Sequence, residues 1–149
     1  MMYCARMLAL HPEAQDKLYK EIQKVIGDRL PDYNGIANLH YALCVMYETM
    51  RLFPVIGSLN AMVAERKDTS LLGKYDVPHE ARLGMDFWCV HRNEKYWGET
   101  VNHFDPSRFD MRTGENKDWY SPDGKVHIPV RGAWFGFSEG PRACIGTSS

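Results

Sequence analysis

No apolar run in this sequence approaches the ~20 residues that cross a bilayer, so no membrane-spanning helix is expected within it. The opening Met1-Met2-Tyr3-Cys4-Ala5-Arg6 lacks a basic segment followed by a clean apolar stretch, and is not read as a signal peptide. An excess of either charge is also missing. The 18 Lys+Arg nearly balance 19 Asp+Glu, for a formal net charge of −1. Phosphate backbones are bound by a net positive face, so nucleic acid is not an expected partner. Clustered cysteine is absent. Cys4, Cys44, Cys89 and Cys144 are far apart and form no CxxC pair, which disfavours a disulfide scaffold and a zinc ribbon. His79-Glu80 is no zincin site, because position 83 is Leu83 where a second histidine is required. There is no Gly-rich phosphate loop, no Ser/His/Asp arrangement, no paired-carboxylate site and no internal repeat.

What remains is an ordinary globular composition: 149 residues, 44% hydrophobic, 12% aromatic and 25% charged. A domain of this size buries roughly 70% of its unfolded surface. The first part reads as helical. His11-Pro12-Glu13 is a helix start, since proline is tolerated at the first helical position and glutamate suits the N-terminal dipole. Ala14, Leu18, Ile22, Val25 and Ile26 follow at helical spacing, with Gln15, Asp16, Lys20, Glu21 and Lys24 between them. Gly27 is a stop, and Asp28 to Gly35 is turn chemistry. A second helix carries Leu39, Leu43, Met46, Tyr47 and Met50, limited by Pro54. Leu71 to Pro78 and Met85 to Val90 read as short strands. Asn93 caps a helical turn over Glu94 to Trp97. From Phe104 to Gly146 no long periodic element is visible, and so long a loop-rich stretch points to function. The organisation is one unit, 1–149: helical over 1–53, strands and loops over 54–132, and a cysteine loop over 133–146.

That loop is the strongest signal. Phe135 to Gly146 contains Phe137-x-x-Gly140-x-Arg142-x-Cys144-x-Gly146. Five fixed positions at these spacings arise by chance on the order of once in 10⁵ chains of this length, given ordinary residue usage. Two glycines flanking a cysteine let backbone approach something large and flat. The arginine supplies a fixed positive fork for a carboxylate. A thiolate in a loop of backbone donors is a ligand for a soft or borderline metal.

This segment resembles the cysteine-ligand loop of the cytochrome P450 family of haem-thiolate monooxygenases. The resemblance implies Cys144 as the axial iron ligand of haem b (iron protoporphyrin IX). It implies Arg142 beside a haem propionate and Phe137 near the sulfur. Gly140 and Gly146 would give the tight turn and the close approach to the porphyrin. Tyr47-Glu48-Thr49-Met50-Arg51-Leu52-Phe53-Pro54 looks like the family's Glu-x-x-Arg helix with its following proline, and i,i+3 spacing puts both charges on one helix face. Phe104-Asp105-Pro106-Ser107-Arg108-Phe109 is similar to the family's Pro-x-Arg-Phe segment. By resemblance, Glu48, Arg51 and Arg108 form a buried charge network that fixes the cysteine loop, a structural role in which arginine forks pair the carboxylate. Leu8 to Gln15, His91-Arg92-Asn93 and Trp97-Gly98 extend the register from about Leu8 to Gly146. In style the chain is similar to the eukaryotic microsomal branch and is read as fungal in type.

The fold so implied is mainly α with small β-sheets (α+β), the C-terminal part of the cytochrome P450 fold. The implied activity of the parent is insertion of one atom of O2 into a small organic substrate, with an NADPH-dependent reductase as partner. The resemblance also implies a parent in the endoplasmic reticulum membrane, its anchor outside this sequence. Family members are several times longer, and their oxygen-activating helix precedes Leu8. The chain alone is therefore expected to be inactive. Two other readings stand beside this one: a non-functional truncated product that keeps family motifs, and a small thiol- or metal-binding module on Cys144. Elsewhere the bland reading is preferred. Trp134 and Phe135 are explained by core packing, and Cys89-x-His91 by a strand-end thiol and a surface histidine.

Overall fold

A computed structural model describes residues 2–66, 69–110, 128, 130, 132–140 and 143–145. It is mainly helical with two small antiparallel sheets, the class read from the sequence. Helix α2 (Pro12–Val25) starts where the proline predicts, and Gly27, at φ 62°, ends the run. The structure adds α1 (Met2–Leu10) ahead of it. A short α3 (Tyr33–Ala37) lies partly within the expected turn. Asp32 is its cap, accepting the Gly35 N–H at 2.6 Å, so the signal overlooked there was an N-cap aspartate.

Helix α4 (His40–Leu52) is the spine of the structure. Tyr41, Cys44, Val45, Tyr47, Glu48, Thr49, Arg51 and Leu52 are all buried on it. Its N-cap residue, Leu39, offers no side-chain acceptor. The exposed N–H groups of a first turn need partners. Glu21 of α2, one of the polar residues between that helix's apolar positions, supplies them. Its carboxylate accepts the Tyr41 N–H at 2.8 and 2.9 Å and the Ala42 N–H at 3.0 Å. A negative charge at this end also suits the helix dipole. The contact locks α2 against α4.

Strand β1 (Ser58–Val63) pairs antiparallel with β4 (Arg82–Asp86), with a register irregularity between Leu59 and Met62. Strands β2 (Ser70–Leu71) and β3 (Tyr75–Asp76) form a minimal hairpin within the segment expected to be extended. The expected strand over Met85 to Val90 is corrected. It ends at Asp86, and Phe87–His91 is helix α5. The Asp86 side chain caps that helix by accepting the Cys89 N–H at 3.0 Å. Phe87 and His91, four apart, then share the buried face. Apolar β-formers at 87–90 masked this, although an aspartate directly before them was the available cue. Helix α6 (Glu94–Trp97) is capped by Asn93 as expected. A 3-10 turn (Pro106–Phe109) follows, with Asp105 as its cap. Residues 111–127, the middle of the stretch expected to be loop-rich, lie outside the described residues. Among the described residues no helix is long and apolar enough to cross a membrane.

Candidate functional site

Two features meet beside α4: a buried charge cluster and the loop that carries Cys144. In the cluster, Glu48 and Arg51 are both 0% exposed. The Arg51 guanidinium grips the carboxylate with two prongs, Nε to Oε2 at 2.7 Å and Nη2 to Oε1 at 2.8 Å. This i,i+3 pair is possible because α4 presents both side chains on its buried face. The Asp105 N–H donates to Glu48 Oε1 at 2.9 Å, and Arg108 Nε lies 3.6 Å from the same oxygen. Arg108 is anchored separately, donating to Trp97 O at 2.9 Å and to Thr100 O and Oγ1 at 2.8 and 2.6 Å. Arg51 also donates to the backbone carbonyls of His91 (2.9 Å) and His103 (3.4 Å) and lies 5.0 Å from the Trp97 ring centroid. The structure thus brings Glu48, Arg51 and Arg108 together and ties α4, α5 and the 3-10 turn through them. Burial pushes the Glu48 carboxyl up from its ordinary value, while the Arg51 fork, the Asp105 N–H and Arg108 pull it back.

The cysteine loop leaves the aromatic core at Ala133 and Trp134, both buried. The Trp134 indole stacks on Tyr47 of α4 at 4.3 Å between centroids, and Phe137 meets both rings edge-on at 5.9 and 6.3 Å. At Gly136 a Cβ would fall 2.2 Å from the Trp134 ring, so only glycine fits there. The backbone then turns through Ser138 and Gly140, at φ 62° and 83°. Gly140 has open space around its missing Cβ, so its glycine serves the left-handed turn. Internal bonds fix the loop: Ser138 N–H to Phe135 O (3.1 Å), Ala143 N–H to Gly140 O (3.0 Å) and Cys144 N–H to Phe137 O (2.9 Å). The Cys144 residue is exposed and in no disulfide. Arg142 and Gly146 lie outside the described residues.

One residue at this junction was misread from the sequence. His91 is 0% exposed, where a surface histidine was expected. Its Nε2 accepts the Phe135 N–H at 2.8 Å. Burial, aided by the nearby charges of Arg51 and Arg92, pushes its pKa down to about 4, so the ring is neutral at pH 7. Cys89, two residues earlier, is exposed on the other side of α5, and the Asp86 side chain pushes its thiol up, away from thiolate. The two do not form a ligand pair. Among the described residues, no three His, Cys, Asp or Glu side chains gather in a metal-holding group.

With this geometry in place, comparison with known proteins is decisive. The model of the family described as cytochrome P450 matches residues 1–148. The chain belongs to the cytochrome P450 family. It is 34% identical over 149 residues to the cytochrome P450 CYP13A3 of Caenorhabditis elegans, covering 98% of this chain and 25% of that protein. It is 34% identical over 140 residues to the 7-deoxyloganic acid hydroxylase of Catharanthus roseus, covering 94% of this chain and 24% of that enzyme. A zebrafish cytochrome P450 structure solved with progesterone superposes with a TM-score of 0.75 at 28% identity, covering 99% of this chain and 30% of that one. The chain thus spans about a quarter of the length of these curated P450 relatives. P450 membership implies a haem cofactor, and the donor chemistry fits. Cys144 offers an exposed soft ligand on a loop braced by its own backbone bonds and by the aromatic core.

Proposed function

We propose that this chain is the haem-binding part of a cytochrome P450 monooxygenase, with Cys144 as the axial ligand of haem b. The observation that carries the reading is the Cys144 loop itself: an exposed cysteine, held by a bond from its own N–H, on a turn docked to the Glu-x-x-Arg helix. When bound, thiolate-ligated haem supplies reductive activation of O2, one atom going to an organic substrate and the other to water. The chain's own residues hold and orient. Cys144 gives the thiolate, Phe137 shields it, Gly140 and Gly146 shape the turn, and Arg142 pairs with a propionate. Glu48, Arg51 and Arg108 act at a distance, keeping the α4 spine in register with the segments that flank the loop. A small organic substrate and an NADPH-dependent reductase are the partners of the whole protein. On this reading the chain by itself is inactive, because it spans about a quarter of the length of its P450 relatives.

The test is reconstitution with hemin, reduction and exposure to CO. Wild-type protein gives the thiolate-type band and Cys144→Ser abolishes it, while Cys4→Ser, Cys44→Ser and Cys89→Ser retain it. A thiolate band that survives Cys144→Ser refutes the ligand assignment. Sustained, CO-inhibited turnover of the 149-residue chain with reductase and NADPH refutes the statement that it is inactive alone.

A further inference from the structure

We infer that His91 is a positioning residue for the Cys144 loop, coupling that loop to the Glu48–Arg51–Arg108 cluster. The inference rests on the haem-thiolate reading above and deepens it. His91 faces both ways. Its backbone carbonyl accepts from Arg51 at 2.9 Å, which makes it part of the charge cluster. Its imidazole Nε2 accepts the Phe135 N–H at 2.8 Å, which makes it part of the loop. Phe135 lies in irregular backbone, where no strand or helix partner takes its N–H, and a buried unpaired N–H is costly. The ring is held flat in an aromatic pile, parallel to Phe87 and to Trp134 within 13° in each case, at 6.3 Å from each. Phe87 in turn stacks on Phe135 at 5.5 Å. The imidazole is therefore fixed in plane and height when it receives the loop.

The accepting nitrogen must be unprotonated, so the neutral ring carries its proton on Nδ1. No charged form can make this bond. From Phe135 the constraint runs along the loop: Phe135 O accepts from Ser138, and Phe137 O accepts from Cys144. Each step is a backbone hydrogen bond, so loss of the His91 acceptor reaches the thiol through two short turns. Among the described residues, none of Arg51's hydrogen bonds goes to the loop, so the link runs through His91.

The experiment uses the full-length protein and two variants. His91→Phe keeps the ring pile and removes the acceptor; His91→Gln restores an acceptor oxygen. Amide exchange should show Phe135 about tenfold faster in His91→Phe, the scale of one lost hydrogen bond, with Ser138 and Cys144 faster by less and Ala133 unchanged. The reduced CO spectrum should shift in part from thiolate-type to non-thiolate, and His91→Gln should recover both signals. Unchanged Phe135 exchange overturns the inference, as does a uniform loss of protection across the loop, which would mean general unfolding. Should His91→Phe fail to fold, nitrogen NMR of the wild-type protein decides: the Nδ1–H tautomer supports the role and the Nε2–H tautomer refutes it. Absence of a thiolate band in the wild-type protein refutes the haem-thiolate reading instead, while exchange and tautomer still judge His91.

Discussion

Removing the Glu48 carboxylate is the sharpest test of the charge cluster. In Glu48→Ala, Arg51 stays fully buried and loses two bonds at once, those from Nε and Nη2. Its remaining acceptors are two backbone carbonyls, at 2.9 and 3.4 Å, which carry dipoles and no net charge. The Asp105 N–H loses its partner too. Arg108 suffers least, being 14% exposed in its side chain and anchored to Trp97 and Thr100. Stranding a buried charge costs about 3–5 kcal/mol. An exposed i,i+3 pair contributes about 0.2–0.5 kcal/mol. Urea unfolding followed by tryptophan fluorescence separates these cases, since Trp97 and Trp134 both sit in the affected core. With a urea slope of about 2 kcal/mol per M, the midpoint falls by about 2 M in the buried case and by about 0.2 M in the exposed case. The double variant Glu48→Ala/Arg51→Met distinguishes a stranded charge from a simple cavity. It removes the charge with its partner and should recover at least half of the loss. A single-variant shift below about 0.5 M, or a double variant worse than the single, refutes the reasoning.

Three further outcomes follow from the same geometry. His91 is depressed from 6.5 to about 4, so below about pH 6.5 the unfolded chain binds a proton that the folded one does not; stability then falls by about 1.4 kcal/mol per pH unit until about pH 4, and this component is missing in His91→Gln. Equal slopes for the two proteins in acid unfolding would contradict the depressed value. Gly136→Ala drives a methyl into the Trp134 ring and should cost about 1–3 kcal/mol while reddening tryptophan emission; an unchanged melting temperature would place the indole elsewhere. Glu21→Gln should lower stability by about 1 kcal/mol through loss of charge at the α4 N-terminus, with Asp16→Asn, an exposed partner of Lys20 at 2.6 Å, nearly neutral as the control.

Much of this architecture is legible from local chemistry. Pro12, Gly27, Asn93 and Pro54 mark element ends because each acts within its own few residues. The Glu48–Arg51 spacing announces a shared helix face for the same reason. What escaped the sequence is what depends on distant partners. Glu21 reads as one more charge on a solvated stripe until α4 is placed so that its first N–H groups point at the carboxylate. His91 reads as a surface histidine because a short segment rich in Phe, Trp and Val suggests a strand over Met85 to Val90, which ends just before it. Once Asp86 caps a helix there, positions 87 and 91 fall on one buried side.

The misreading at His91 and the legibility of the Cys144 motif share a cause. Cys144 stands within a dense pattern in which five fixed positions lie inside ten residues, so one stretch of backbone carries the information. His91 works through a residue 44 positions away, and nothing near it in the sequence names that partner. The same asymmetry holds inside the charge cluster: Arg51 is visible from Glu48 because they are three apart, whereas Arg108 joins them across 57 to 60 residues through the Asp105 N–H and its own guanidinium. In the first pair the helix does the placing. In the second, the 3-10 turn over Pro106–Phe109 must first be capped by Asp105, whose side chain accepts from Ser107 N–H at 3.0 Å, before Arg108 can reach Glu48 at all. Asp105→Ala should therefore loosen the cluster although its side chain does not touch Glu48, whereas a conservative Asp105→Asn, which still caps, should leave it intact.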